Sequence, residues 1–417
     1  MNNICLVKPN GNNCYTEELQ KIKAYEPPIW LAILADFYKT NIIIDAEVEN
    51  YNTQETINKI LSYNSDKVVI LSSGNHPSAF IQAQEEMNKL KDLLSLHYPL
   101  NKIECIDKLP INPIRYKIKW ELLDLNKYRC HNWHAITNNN INNPYGVIYT
   151  SVSCPMNCHF CTVKNFYYTK QFEQRLIEDI IADFKIMKER NVKNIKIMDE
   201  LFIFNPNRVE LICDEIIKLK YDFNIWAYAR IDIMSEKLLQ KMRLAGIRWL
   251  AYGIESGSEK IRKEVLKGNF TNQKIKDVIK MTKDNDICVI GNFMFGFQDD
   301  NLNTMQETLD LALELNCEYV NFYCVSAYPN TPLYEELKTK GIELPTKWSE
   351  YSQTSEKFKP LDTKYLKGSE VLNFRDKAFN KYFENRKYLN YIKNKFGIAT
   401  RNSILEMTNH KINRIHG

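Results

Sequence analysis

Between Tyr145 and about Leu337, six short apolar runs are each followed by a segment with helical spacing: YGVIYTS, NIKIMDE, NIWAYAR, WLAYGIES, CVIGNFMFG and YVNFYCV. Strands that are apolar at nearly every position are buried on both faces, the condition of a parallel sheet covered by its own crossover helices. Six such units predict an α/β fold in which residues 145–340 curl into a partial (β/α)6 barrel. In barrels of this kind the chemistry sits at the C-terminal ends of the strands. Those ends carry Ser153, Asp199 and Glu200, Arg230, Glu255 and Ser256, and Gly296.

A second alternation precedes the barrel. NICLVK, NIIIDAEV and KVVILSSG read as strands, and WLAILADFY, TQETINKILSY and PSAFIQAQEEMNKLKDLLSLH as helices, the second opened by a Thr cap and the third by Pro in its first turn. Residues 1–107 are therefore expected to form a Rossmann-like domain. It has no G-x-G-x-x-G after its first strand, so a nicotinamide dinucleotide is not expected there. Residues 108–144, rich in Pro, Asn and aromatics, read as an irregular linker that packs through Trp120, Tyr128 and Trp133. Residues 341–417 read as a C-terminal helical region, a candidate substrate lid with a basic side.

With 417 residues, 44% hydrophobic and 26% charged, the chain can bury two or three cores, which excludes a disordered or fibrous protein. A net charge of +5 makes no case for nucleic acid at this length. No apolar run reaches the roughly 18 residues that span a bilayer, and the opening MNNICLVKPN lacks a signal-peptide layout, so a cytoplasmic location is expected. In such a setting clustered cysteines hold metal more often than they form disulfides. Cys5, Cys213, Cys288, Cys317 and Cys324 lie in apolar stretches and read as core.

Cys154, Cys158 and Cys161 are different. They stand in SVSCPMNCHFCTVKNF, directly after the first barrel strand, as C-x-x-x-C-x-x-C with no fourth thiol nearby. Three thiolates suit an iron–sulfur cubane with one iron left open to an outside ligand, because four would saturate it. The competing occupant is a structural zinc ion, which wants four closed ligands and has only His159 to complete the set.

This spacing, with the aromatic Phe160 before the last cysteine, resembles the signature of radical S-adenosylmethionine (radical SAM) enzymes. The similarity continues through IKIMDELFIFN, NIWAYARIDIM, LAGIRWLAYGIESGSEKIRKEVLKG, GNFMFGFQDD and SAYPNTPLYEEL. Together with EPPIWLAILADFY and SSGNHPSA, these stretches resemble the subgroup with an N-terminal cobalamin-binding domain, including anaerobic magnesium-protoporphyrin ester cyclase-like proteins. The resemblance implies a [4Fe-4S] cluster on Cys154, Cys158 and Cys161, with SAM chelated to the open iron. Asp199 and Glu200 would meet the methionyl amine, Arg230, Glu255 and Ser256 the ribose or methionyl group, and Gly296 with nearby apolar residues the adenine slot; Phe160 of the cysteine loop is also expected to bind the cofactor. Ser72, Ser73, Gly74, Asn75 and His76 follow the third strand, where they would face cobalamin. The D-x-H-x-x-G motif that supplies a histidine to cobalt is absent, so His76 lacks its usual context. A domain that has lost cobalamin is the alternative.

The implied activity is methylation of an unactivated carbon of a small molecule, for which a phosphorylated or nucleotide-linked sugar is the first expectation. The implied partner is an electron donor such as flavodoxin or ferredoxin. An oxidative cyclase or a rearrangement catalyst is the alternative within the enzymes; a non-catalytic zinc-binding scaffold is the alternative outside them.

Overall fold

The computed structural model describes residues 3–12, 20, 22–72, 77–165 and 171–416, without the side chains of 77–83 and 348. Two parallel sheets organise it. The first has four strands, β1 (Ile4–Lys8), β2 (Ile42–Asp45), β3 (Lys67–Leu71) and β4 (Ile103–Ile106), in the order β2-β1-β3-β4. The fourth strand is short and polar at its centre, and sequence reading did not pick it out. Period-two alternation builds both faces of this sheet. Ile4 and Leu6 of β1 join the main core, whereas Cys5 and Val7 pack with Ile57, Ile60, Met87 and Leu90 on the other side.

The helix Ile29–Tyr38 lies between this sheet and the rest of the molecule. Seven successive residues, Ile29 to Ala35, are buried, so it has no solvent face over two turns. Its neighbours in one continuous core come from β1 and β3 on one side and from Trp120, Tyr149 and Val152 on the other. The helix Thr53–Leu61 is capped by Asn52 rather than by Thr53: the Asn52 side chain accepts from the Glu55 amide, and Glu55 answers the Asn52 amide. Thr53 instead donates its hydroxyl to Glu86.

The second sheet contains the six expected strands: β5 (Tyr145–Ile148), β8 (Asn194–Ile197), β9 (Asn224–Ala229), β10 (Ile247–Glu255), β11 (Cys288–Phe295) and β12 (Tyr319–Cys324). They pair in parallel and in sequence order. A short antiparallel pair, β6 (Ser151–Val152) with β7 (Glu173–Gln174), sits above β5. The residues before β5 form a series of single turns. Trp120 donates to Asp183 of the helix Ile177–Glu189 at 2.7 Å and Tyr128 to Asp45 of β2 at 3.2 Å, so this segment is pinned to a barrel helix and to the first sheet. Trp133 meets Trp226, Trp249 and Tyr319 across the N-terminal ends of the barrel strands. The helix Gly368–Phe383 runs along the barrel from Gly296 to Cys317, and the helices Arg386–Phe396 and Ile398–Thr408 follow, with Phe396 stacked on Trp249. No helix among the described residues is long and apolar enough to cross a membrane.

Candidate active site

The C-terminal ends of both sheets open on one cavity of about 1030 Å³. That exceeds the roughly 300–1,000 Å³ of an ordinary small-molecule site, so there is room for more than one ligand. From the first sheet it is lined by Lys8, Pro9, Gly11, Glu47 and Ser72; from the barrel, by Cys154, Cys158, Phe160, Cys161, Glu200, Arg230 and Glu255. Ser73, Gly74, Asn75 and His76 lie outside the described residues.

The cysteine loop is held from beneath. Ser153 is fully buried with φ at +65°, a left-handed backbone that a non-glycine residue adopts only where its surroundings impose it. Just before it, Thr150 donates both its amide and its hydroxyl to Asp199 at 2.5 Å, and the Ser151 hydroxyl donates at 2.6 Å. Asp199 is 1% exposed and does not reach the cavity. Burial lifts its carboxyl above the ordinary range, while these donors favour the ionised form. The expectation that Asp199 and Glu200 act together on a ligand is thus corrected: Asp199 braces the loop, and Glu200 alone faces the cavity. Adjacent residues leaving a strand point to opposite sides.

All three thiols are free of disulfides and line the cavity. Burial raises the Cys154 thiol and pushes that of Cys161 up to about 12. A positive metal centre reverses this, because thiolate is the ligating form. Phe160 sits edge-on to Phe297 at 5.4 Å and packs with Ile261, Val325 and Leu333. His159 points the other way, its Nε2 lying 3.0 Å from Glu336. It therefore does not complete a zinc site. Among the described residues no three His, Cys, Asp or Glu side chains converge as one metal ion requires. A cubane, whose irons occupy separate corners, takes ligands spread over a wider triangle.

Two charged pairs complete the rim. Arg230 forms a bidentate pair with Asp232, Nε to Oδ1 at 2.9 Å and Nη2 to Oδ2 at 2.6 Å, and Nη2 also donates to the Lys267 carbonyl at 2.7 Å. Glu255 accepts from Lys267 Nζ at 2.8 Å. The β10–β11 register slips between Gly253 and Glu255, and Glu255 has φ at +69°. This bulge turns the carboxylate into the cavity. A Cβ on Gly253 would come within 2.5 Å of both Glu255 Oε1 and Lys267 Nζ, so only glycine leaves the pair in place.

Two other expected residues have packing roles. Ser256 is fully buried, its hydroxyl between Thr308 and the Ser258 amide, and does not line the cavity. Gly296, at φ +89°, donates its amide to Asp300 at 3.0 Å; a Cβ there would lie 2.6 Å from Val371. It is the contact at which the helix Gly368–Phe383 closes on the barrel. Sequence reading missed Lys267, Gly253 and the buried pair Lys196–Glu26, whose Nζ–Oε distances are 2.9 and 3.1 Å. Lys196 carried a signal: it is a lone cation inside an apolar strand.

Residues 148–312 match the model of the Radical SAM superfamily. The chain is 26% identical over 320 residues to an uncharacterised methyltransferase of Pyrococcus horikoshii, covering 74% of this chain and 65% of that protein. It is also 26% identical over 331 residues to bacteriochlorophyllide d C-12(1)-methyltransferase of Chlorobaculum tepidum, covering 73% and 66%. It thus spans just under two thirds of the length of each. Among solved structures, the radical SAM methyltransferase TsrM of Kitasatospora setae, with cobalamin and a [4Fe-4S] cluster bound, superposes with a TM-score of 0.62 at 12% identity, over 83% of this chain and 80% of that one. The cobalamin-dependent SAM radical enzyme OxsB, with aqua-cobalamin and SAM bound, gives 0.66 at 14% identity, over 98% and 71%. At these identities the likeness is one of fold.

Proposed function

Because residues 148–312 are a radical SAM domain, we propose that the chain is a cobalamin-dependent radical SAM enzyme that methylates carbon in a small molecule held between its two sheets. The observation that carries this is the single cavity on which three cysteines of one loop and the C-terminal edge of the first sheet both open.

The residues present fit the groups this reading requires. Cys154, Cys158 and Cys161 supply three sulfur donors, and His159, turned to Glu336, leaves the fourth position to an outside ligand. Glu200, Glu255 and Arg230 offer a polar rim for the amine, carboxylate and ribose of SAM, with Phe160 beside them. Pro9, Gly11 and Ser72 are small residues at the first sheet's edge and leave room for a flat macrocycle. When bound, the cluster with SAM supplies one-electron cleavage of a carbon–sulfur bond, and cobalamin supplies a methyl group. The chain's own work is to hold these ligands on opposite sides of one space and to keep water out.

This reading calls for an electron donor such as flavodoxin or ferredoxin. A cyclase or rearrangement reaction is a second reading, favoured only if no methyl is transferred. The test is anaerobic reconstitution followed by reduction with methyl-deuterated SAM. About four irons per chain, 5′-deoxyadenosine, and bound cobalamin without nitrogen hyperfine splitting from a protein imidazole are expected. Zinc in place of iron, with no SAM cleavage, would return the chain to the scaffold reading.

A further inference from the structure

Below the cysteines the cavity continues into the barrel, where it is lined by Lys196, Tyr228, Ala251, Asn292, Asn321 and Tyr323. The centre is open because β10 presents only Ala251 and Gly253 there. Three polar atoms face this space with no hydrogen-bond partner among the described residues. Tyr228 and Tyr323 make no hydrogen bond among the described residues, and Asn321 gives its amide N–H to Asn292 at 2.9 Å but leaves its own carbonyl oxygen unused. Burial holds both phenols above their ordinary range, so they stay protonated and available as donors. Polar atoms that face a cavity without a protein partner are left for water or a ligand to answer.

The charges carry the other half of the argument. Five cationic side chains line the cavity, and each already has a carboxylate. Lys196 is bound by both oxygens of Glu26, Lys267 by Glu255, Arg230 by Asp232, Lys8 by Asp45 and Glu47, and Lys23 by Glu47. In the mid-barrel chamber a phosphate finds no uncommitted cation among the described residues. To take Lys196 it would have to strip Glu26, leaving a buried carboxylate unpaired.

Resting on the reading of the site as a methyltransferase, we propose that its substrate is a hydroxyl-bearing small molecule without net charge, bound in the mid-barrel chamber by the hydroxyls of Tyr228 and Tyr323 and the carbonyl oxygen of Asn321, and that phosphorylated molecules are rejected. A hydroxyl group suits these atoms because it accepts from a phenol and donates to an amide oxygen. This replaces the sequence-based expectation of a phosphorylated or nucleotide-linked sugar.

The test uses three matched pairs of probes in calorimetric titrations of the reconstituted protein: D-glucose and glucose 6-phosphate, cytidine and cytidine 5′-monophosphate, L-serine and O-phosphoserine. At least one uncharged or zwitterionic member is expected to bind at least tenfold more tightly than its phosphorylated partner. The double variant Tyr228→Phe/Tyr323→Phe should weaken that binding at least tenfold without lowering the melting temperature of the free protein, since the lost oxygens make no hydrogen bond among the described residues. Glu26→Gln, which releases Lys196, should raise affinity for the phosphorylated member at least tenfold. The inference is overturned if a phosphorylated member binds more tightly in the wild type, if no probe binds, if binding survives the double variant, or if Glu26→Gln leaves phosphate binding unchanged. Iron content and SAM cleavage in the same preparation separate the two failures: active, iron-loaded protein that prefers phosphate sinks this inference alone, whereas protein without iron sinks the reading beneath it.

Discussion

The two sheets bring their C-terminal ends to the same cavity with opposite chemistry. At the edge of the four-stranded sheet, Lys8, Lys23, Asp45 and Glu47 answer one another, and Tyr128 adds a donor to Asp45. Burial pushes Glu47 up, yet Lys8 and Lys23 more than reverse this and hold it at about 2. At the edge of the six-stranded sheet the carboxylate that is fully satisfied, Asp199, is turned away from the cavity, while three thiols are left facing it. One edge is a closed network that makes a rigid wall. The other is a brace carrying open ligands, and the comparison teaches that groups answered within the protein shape a site whereas unanswered ones act in it.

The largest effect that would break this contrast is expected from replacing Cys154, Cys158 or Cys161 by Ala. Each variant should lose essentially all cluster iron and all SAM cleavage while the apoprotein's unfolding is unchanged; a variant that keeps about four irons contradicts the assignment. On the closed edge, Glu47→Gln leaves Lys8 and Lys23 sharing Asp45. Removing one partner of a fully buried pair costs about 3–5 kcal/mol and these side chains are partly exposed, so denaturant midpoints should fall by less than that while reconstituted iron per folded chain stays the same. An iron loss matching the stability loss would erase the distinction.

Glu255→Gln acts between these extremes. Loss of a charge-assisted hydrogen bond costs about 1.5–3 kcal/mol, or about ten- to a hundredfold in SAM affinity, with the cluster retained. Unchanged affinity in equilibrium dialysis would make Glu255 a brace like Asp199.

The smallest effect lies at the barrel's base. His134 is fully buried, its Nε2 is 2.9 Å from the Asn224 carbonyl, and its Nδ1 has no hydrogen-bond partner among the described residues. Burial depresses it to about 3. Below its unfolded value near 6.5 the unfolded chain binds a proton that the folded one refuses. Its contribution is therefore intact above pH 6.5 and lost as pH falls towards 3, at no more than about 1.4 kcal/mol per pH unit. His134→Asn should flatten that part of the stability profile; an unaltered slope would mean that the base is not closed to protons.

Much of this was legible in the sequence, for reasons that also mark its limits. Buried parallel strands announce themselves through unbroken apolar runs, so all six barrel strands were placed, and three cysteines on one loop need no fold to be noticed. Reading strand ends, however, says which residues reach the rim and not which way they point. Asp199, Ser256 and Gly296 sit where expected yet serve packing and bracing. Groups joined by long loops were invisible: Glu26 and Lys196 are 170 residues apart, and Lys267 meets Glu255 only because a bulge at Gly253 turns the strand. The cap at Asn52 was missed by one residue, since both Asn and Thr are good caps and only the backbone decides between them.

The helix Ile398–Thr408 gives Thr400, Ser403 and Met407 to the cavity, and the Tyr319 hydroxyl at the first residue of β12 lies 3.3 Å from the Met407 sulfur. The cavity is therefore lined from beneath by a piece of chain made after every barrel strand. During synthesis every barrel strand is therefore made before the helix that lines the chamber's base. Order of translation thus sets the order in which the chamber gains its walls.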